Sequence, residues 1–286
     1  MKIPHPIRST WHKVSRYASS FLFAQQHRIW IKVKAIRFQG QNVDVAGSIV
    51  KTNSRNSFQL GEKVYGSYPN KIRFLNASLS LLRIPYQKIW HAPDNLPPSQ
   101  AAGIVTSGSQ CIEAVCEIIK ANPNSLILLF AQNDPFARMC IELLKSIGAQ
   151  VTVVTHENNF KRMRKLQADL IVNAAYEINR SLHKKYDAII DSLGGKLLEA
   201  YLVTLKKKGI IIIKENTTDT SFITPPRRVY SLQKHTTQHR LRILSFLIEE
   251  EIIHCPIIPK KDFDKSMKAN WGISSISNED IVYEKD

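Results

Sequence analysis

No stretch of the chain approaches the run of about eighteen apolar residues that a membrane-crossing helix needs, so no apolar helical span is expected. Its four cysteines, Cys111, Cys116, Cys140 and Cys255, form no CxxC pair and have no His-rich partner motif. That pattern argues against a structural zinc site and a disulfide framework, and fits a reducing compartment. Glycine is scarce where it matters most: none occurs between Gly108 and Gly148. Acidic residues are missing from the first 43 positions, which carry Lys2, Arg8, Lys13, Arg16, Arg28, Lys32, Lys34 and Arg37. Internal repeats and low-complexity tracts are also lacking.

What is present is enough for a full hydrophobic core. The 286 residues are 43% hydrophobic, which suits one large domain or two moderate ones. Forty basic against 24 acidic side chains give a net charge of +16. Such a bias attracts anionic partners such as RNA or lipid headgroups, although a basic organellar protein is the preferred reading. On a helix at about 100° per residue, Ile7, Trp11, Val14, Tyr17, Ala18, Phe21 and Leu22 share one arc, and Arg8, His12, Lys13 and Arg16 the other. A basic, acid-free amphipathic segment over residues 1–25 has the pattern of a mitochondrial transit peptide, so the mitochondrial matrix is the expected location. A surface helix and a membrane-surface anchor are the alternatives.

The chain is organised around residues 125–155. Leu126, Ile127, Leu128, Leu129 and Phe130 form a continuous apolar run, as in a strand buried on both faces of a parallel sheet. A turn over 131–135 follows. Met139, Ile141, Leu143, Leu144 and Ile147 then recur at helical spacing up to Gly148, and 150–155 is a second β-branched strand. Such strand-helix-strand units commonly hold a dinucleotide pyrophosphate on a glycine turn and the N-H groups of the helix start. Here the glycines are missing, and Asp134 followed by Pro135 reads as an N-cap with proline at the first helical position.

Further strands are expected at 169–173, 186–191 and 210–213, with helices at 98–120, 159–167, 179–184 and 197–205. Residues 28–66 alternate as strands. This order predicts an α/β fold with a doubly wound parallel sheet.

The fragments VKA, DVAG, GEKVYG, LPPSQAA, SIGAQVTVV, KLQAD, YDAIIDSLGG and LKKKGIIII, in that order, resemble the medium-chain dehydrogenase/reductase superfamily. The likeness is to its zinc-independent quinone-oxidoreductase branch, within that to the mitochondrial reticulon-4-interacting type, and it covers most of 28–215. The resemblance implies a Rossmann-like sheet over 97–233 inserted in a shortened GroES-like β-rich catalytic domain, 26–96 and 234–286. It also implies ancestral hydride transfer from NADPH to a quinone or enone, and sheets paired across a homodimer near 210–213.

Residues carried over for a cofactor site, if one is retained, are Asp134, Ala137, Thr155, His156, Lys161, Gly194 and Gly195. Asp134, Pro135 and Ala137 stand where the family's last three loop glycines stand, and Gln110 near a threonine beside the nicotinamide. Against the family pattern the segment before DVAG is short and Val43 stands where a histidine is frequent, so the resemblance does not imply catalytic zinc; in the tail, Asn278 to Asp280 stands in place of a Gly-Lys pair. No residue stands out as catalytic. The expectation is therefore a reductase-like protein with weak or no catalysis, acting through a protein partner or small molecule in mitochondrial quinone or respiratory metabolism. An active NADPH-dependent quinone or enone oxidoreductase is one alternative. The other is an RNA-binding protein using the basic run of Arg227, Arg228, Lys234, His235, His239, Arg240 and Arg242.

Overall fold

The computed structural model describes residues 28–39, 42–52, 57–69, 81–132, 134–175, 182, 184–194, 196–214, 220–232, 235–255, 260–262 and 282–284. The amphipathic segment, His183, Gly195, Lys234, Asn278 to Asp280 and most of the helix expected at 179–184 lie outside them.

The alternating sequence after Arg28 builds β1 (Arg28–Gln39), β2 (Asn42–Lys51) and β3 (Lys63–Pro69). Their inward residues Ile29, Ile31, Val33, Ile49 and Val64 form one apolar core with Ile84 and Ile89, from β4 (Leu81–Pro85) and β5 (Ile89–His91). Helix α1 (Pro98–Ile112) begins with Pro98 in its first turn, a position that needs no N-H, and widens into π-helical turns over Glu113–Ile119. It ends at Lys120, whose φ of 54° is left-handed.

The second unit contains β6 (Leu126–Phe130), α2 (Pro135–Ile147), β7 (Gln150–Thr155), α3 (Phe160–Lys165) and β8 (Leu170–Asn173). It continues through β9 (Tyr186–Asp191), α4 (Leu197–Tyr201), β10 (Leu205–Ile213) and β11 (Arg228–Ser231). After α5 (Gln238–Glu249), two short strands, β12 (Lys260–Asp262) and β13 (Val282–Glu284), return to the first sheet. That sheet runs β12-β13-β1-β2-β3-β5, with β4 also on β1. The second runs β11-β10-β9-β6-β7-β8, with every pairing parallel.

The strand order of the parallel sheet is that of a doubly wound dinucleotide-binding fold, with the direction of winding reversing between β6 and β9. Its buried strands are the apolar runs seen in the sequence, because a sheet covered on both faces needs no alternation. Two expectations change. The strand containing 210–213 starts at Leu205 and is flanked by both β9 and β11, so among the described residues the edge on this side is β11 and not this strand. The helix expected over 197–205 stops at Tyr201, with the remaining residues in a tight turn and the new strand.

Gly66 shows how closely β3 and β5 are packed: a Cβ there would stand 2.2 Å from the Lys88 carbonyl oxygen and 2.9 Å from the Ile89 Cα. Backbone cannot yield as a side chain tip does, so Gly66→Ala is expected to destabilise the fold by about 1–3 kcal/mol, read from the urea midpoint. An unchanged midpoint would contradict this packing.

Candidate functional site

In open α/β sheets, ligands collect outside the C-terminal ends of the strands at the reversal point. Here that place lies beyond Phe130 and Asp191. Ser192 ties the two strand ends together, its hydroxyl donating to the Phe130 carbonyl at 2.7 Å. The Asp191 carboxylate is 1% exposed, and its Oδ1 accepts from the N-H groups of Leu193 at 3.0 Å and Gly194 at 2.9 Å. Gly194 has a φ of 70°, a conformation glycine adopts without the steric cost a Cβ brings.

Beside this turn, Asp134 caps α2. Its backbone is extended and its Oδ1 accepts from the Ala137 N-H at 3.0 Å. Lys214, just past β10, places Nζ 3.4 Å from the same oxygen and 5.3 Å from the centre of the Phe136 ring. The sequence reading missed Lys214. Its signal was positional: it is the first cation after an apolar strand whose C-terminal end reaches the reversal point. Pro135 occupies the first turn and has no N-H to offer.

Thr155 is fully buried; its hydroxyl donates to the Ala131 carbonyl at 2.6 Å and accepts from Asn159 Nδ2 at 3.3 Å. His156 is exposed at the start of the next turn, and Lys161 is exposed on α3. The strand ends thus bring together Asp134, Ala137, Asp191, Gly194 and Lys214, while His156 and Lys161 stand at the β7 end of the sheet.

A second buried cluster lies where α1 crosses the first sheet. Asp44 on β2 is fully buried and accepts from Thr106 twice, from its N-H at 3.1 Å and its hydroxyl at 2.7 Å. Arg37, 3% exposed, donates to the Gly103 carbonyl. Burial pushes the Asp44 carboxyl up to about 6, against the opposing pull of the Thr106 hydrogen bond and the Arg37 charge. Gln110, 3% exposed, sits farther along the same helix. Nothing in the sequence marked Asp44 and Thr106 as partners, since their pairing depends on how the helix crosses the sheet.

The basic run in the RNA reading is not one exposed strip. Arg240 is 8% exposed, holds both carboxylate oxygens of Glu117 at 2.8 and 2.6 Å, and lies 2.9 Å from Glu113. The Arg240 hydrogen bonds draw the Glu117 carboxyl below its ordinary value. Among the described residues, no group of three or more His, Cys, Asp or Glu side chains could hold a metal ion.

No family model matches the chain. A quinone oxidoreductase structure from Coxiella burnetii superposes with a TM-score of 0.72 over 91% of this chain and 90% of its own, at 19% identity. The quinone oxidoreductase of Escherichia coli, solved with NADPH, gives 0.70 over 91% of both chains at 16% identity. In sequence, the trans-enoyl reductase xenG of Xenoacremonium sinensis is 27% identical over 142 residues. The chain has the fold of the quinone-oxidoreductase-like medium-chain dehydrogenases/reductases.

That reductase likeness extends to the mitochondrial NAD(P)H oxidoreductase RTN4IP1 of Danio rerio, 26% identical over 172 residues, 57% of this chain. The matches to xenG, 44% of this chain, and to RTN4IP1 span only 38% and 44% of those relatives' lengths. Within the shared fold, the parallel sheet is the Rossmann-like unit and the antiparallel sheet the GroES-like one. Among the described residues, no helix is long and apolar enough to cross a membrane.

Asp44 gives a pH test of the cluster between them. Its folded value lies above its ordinary 3.8, so the folded protein binds the proton more tightly than the unfolded chain. The resulting stabilisation is complete below the ordinary value and is lost as pH rises through about 6. In Asp44→Asn that dependence is expected to vanish, so the melting-temperature difference, wild type minus variant, falls between these two values and then levels. Parallel profiles would rule out the assignment.

Proposed function

We propose that this protein is a reductase-fold chain that binds NADPH weakly or not at all and acts through binding rather than hydride transfer. The observation that carries this reading is Asp134. A helix start favours an anion because its free N-H groups and the helix dipole point outward there. In a dinucleotide site that anion is a phosphate. Here the chain supplies its own: the Asp134 carboxylate holds the Ala137 N-H, and Lys214 balances its charge.

A pyrophosphate entering this place would have to displace the carboxylate or lie beside it. Two like charges about 4 Å apart repel by about 4 kcal/mol at a protein-surface effective dielectric of about 20. Pro135 removes one further donor. The residues present therefore do not fit the phosphate half of the cofactor.

A setting in mitochondrial quinone or respiratory metabolism is supported by the acid-free amphipathic start and by the likeness to the mitochondrial zebrafish oxidoreductase. The boundaries of 97–233 for the cofactor-type domain, and of 26–96 with 234–286 for the β-rich one, belong to the same proposal, as does dimerisation through the open β11 edge. A second reading, an active NADPH-dependent quinone or enone oxidoreductase without zinc, draws on the fold it shares with the NADPH-bound Escherichia coli enzyme. Exposed Lys161 and Arg162 on α3 would then read a ribose 2'-phosphate at the end of β7.

Calorimetric titration of the full chain with NADPH and then NADH at low salt separates the two. No saturable heat is expected from protein shown by melting to be folded. Asp134→Ser, which keeps a capping oxygen and removes the charge, is expected to stay folded and to bind NADPH more tightly than wild type. Saturable submillimolar binding by wild type, abolished by Lys161→Glu, would overturn the proposal in favour of the reductase.

A further inference from the structure

The first sheet has one face divided in two. Toward one end, Ala35, Ala46 and Tyr65 are buried in the main core with residues of α1. Toward the other end the same face is left uncovered by the described residues, and strand register places its side chains in two rows. Arg83, Trp30 and Lys51 stand side by side across β4, β1 and β2. Leu81, Lys32, Ser48 and Lys63 do so across β4, β1, β2 and β3. Among the described residues these rows contain no carboxylate. Glu62, next to Lys63, is directed to the Gln59 N-H at 2.8 Å and to His91 at 3.8 Å.

The face combines cations with apolar groups that the core leaves outside. Lys32, Lys51 and Lys63 are exposed, Leu81 is 54% exposed and Trp30 is 36% exposed. We infer that this face docks on an anionic lipid bilayer, with Trp30 and Leu81 at the level of the headgroups and the lysines and Arg83 against lipid phosphates. Tryptophan ringed by lysine and arginine suits that boundary, where the indole body is apolar and its edge is polar. Lysine stems lie along apolar surface while their ammonium groups reach the phosphates.

Two observations favour a bilayer over a single-stranded nucleic acid. The Arg83 guanidinium lies over the Trp30 ring at 6.0 Å, on a face where a base would have to stack. The aliphatic Leu81 offers a base no such platform but partitions readily into a headgroup region. The chain also enters β1 from a segment whose sequence alternates apolar residues with Arg8, Lys13 and Arg16 and lacks acid, the composition of an interfacial helix.

The test is co-sedimentation of the full chain with phosphatidylcholine vesicles and with vesicles of phosphatidylcholine and phosphatidylserine. Binding is expected only with phosphatidylserine present, and it should weaken as salt rises. Each lysine near an anionic surface contributes about a fivefold factor, so Lys32→Gln with Lys51→Gln is expected to lower partitioning about twenty-five-fold, with circular dichroism and melting unchanged. If that pair does not fold, Lys63→Gln, a single exposed change, is expected to give about fivefold. Partitioning that ignores phosphatidylserine, or lysine variants that bind like wild type, would overturn the proposal. So would capture of single-stranded RNA by a chain that leaves both vesicles in suspension.

Discussion

Helix α1 is buried along nearly its whole length, and both halves of the molecule rest on it. Such a helix can carry few large side chains, and the run Ala101, Ala102 and Gly103, with Gly108 farther on, meets that demand. A Cβ at Gly108 would come within 2.3 Å of the Leu244 side chain on α5, so that leucine packs directly on the bare α-carbon. Close approach has a polar cost. A buried carboxylate and guanidinium need partners in such a place, and Asp44 and Arg37 take theirs from Thr106 and the Gly103 carbonyl on the same helix. The first sheet is thereby held to a fixed position along α1.

The two ends of the parallel sheet illustrate opposite uses of backbone dipoles. At the α2 start, an acceptor is required, and Asp134 provides it within its own chain. At the far end of the preceding helical segment, Lys120 closes the π-helical turns in the left-handed region. A helix start filled by an internal carboxylate stays capped with no ligand present. The fold at this helix start therefore does not depend on a bound anion, because Asp134 caps the helix from within the chain.

Much of this architecture was legible in the sequence, for reasons specific to each element. Leu126 to Phe130 and Gln150 to Thr155 were readable because strands buried on both faces show as unbroken apolar or β-branched runs. Asp134 followed by Pro135 announced a capped helix, and the cap is present. Helix α5 was not seen, since Arg240, Arg242 and His239 made its sequence look like a basic strip. Its apolar side, Leu241, Leu244, Leu247 and Ile248, is interleaved with those charges. The short strands β4, β5 and β11 also escaped, being too brief for any period to register. Site residues were harder still. Lys214 meets Asp134 across about eighty positions of sequence, and only the folding of the sheet brings them together.

The pairing of β13 with β1, Ala35 opposite Glu284, joins the two extremes of the described chain. The described pairings of the parallel sheet all lie at or before Ser231, so during synthesis they can form while the first sheet still lacks its closing strands. Contacts this distant in sequence slow folding, because the intervening chain must first be ordered. The first sheet, whose strands β1 to β5 are made first, is therefore the one completed last.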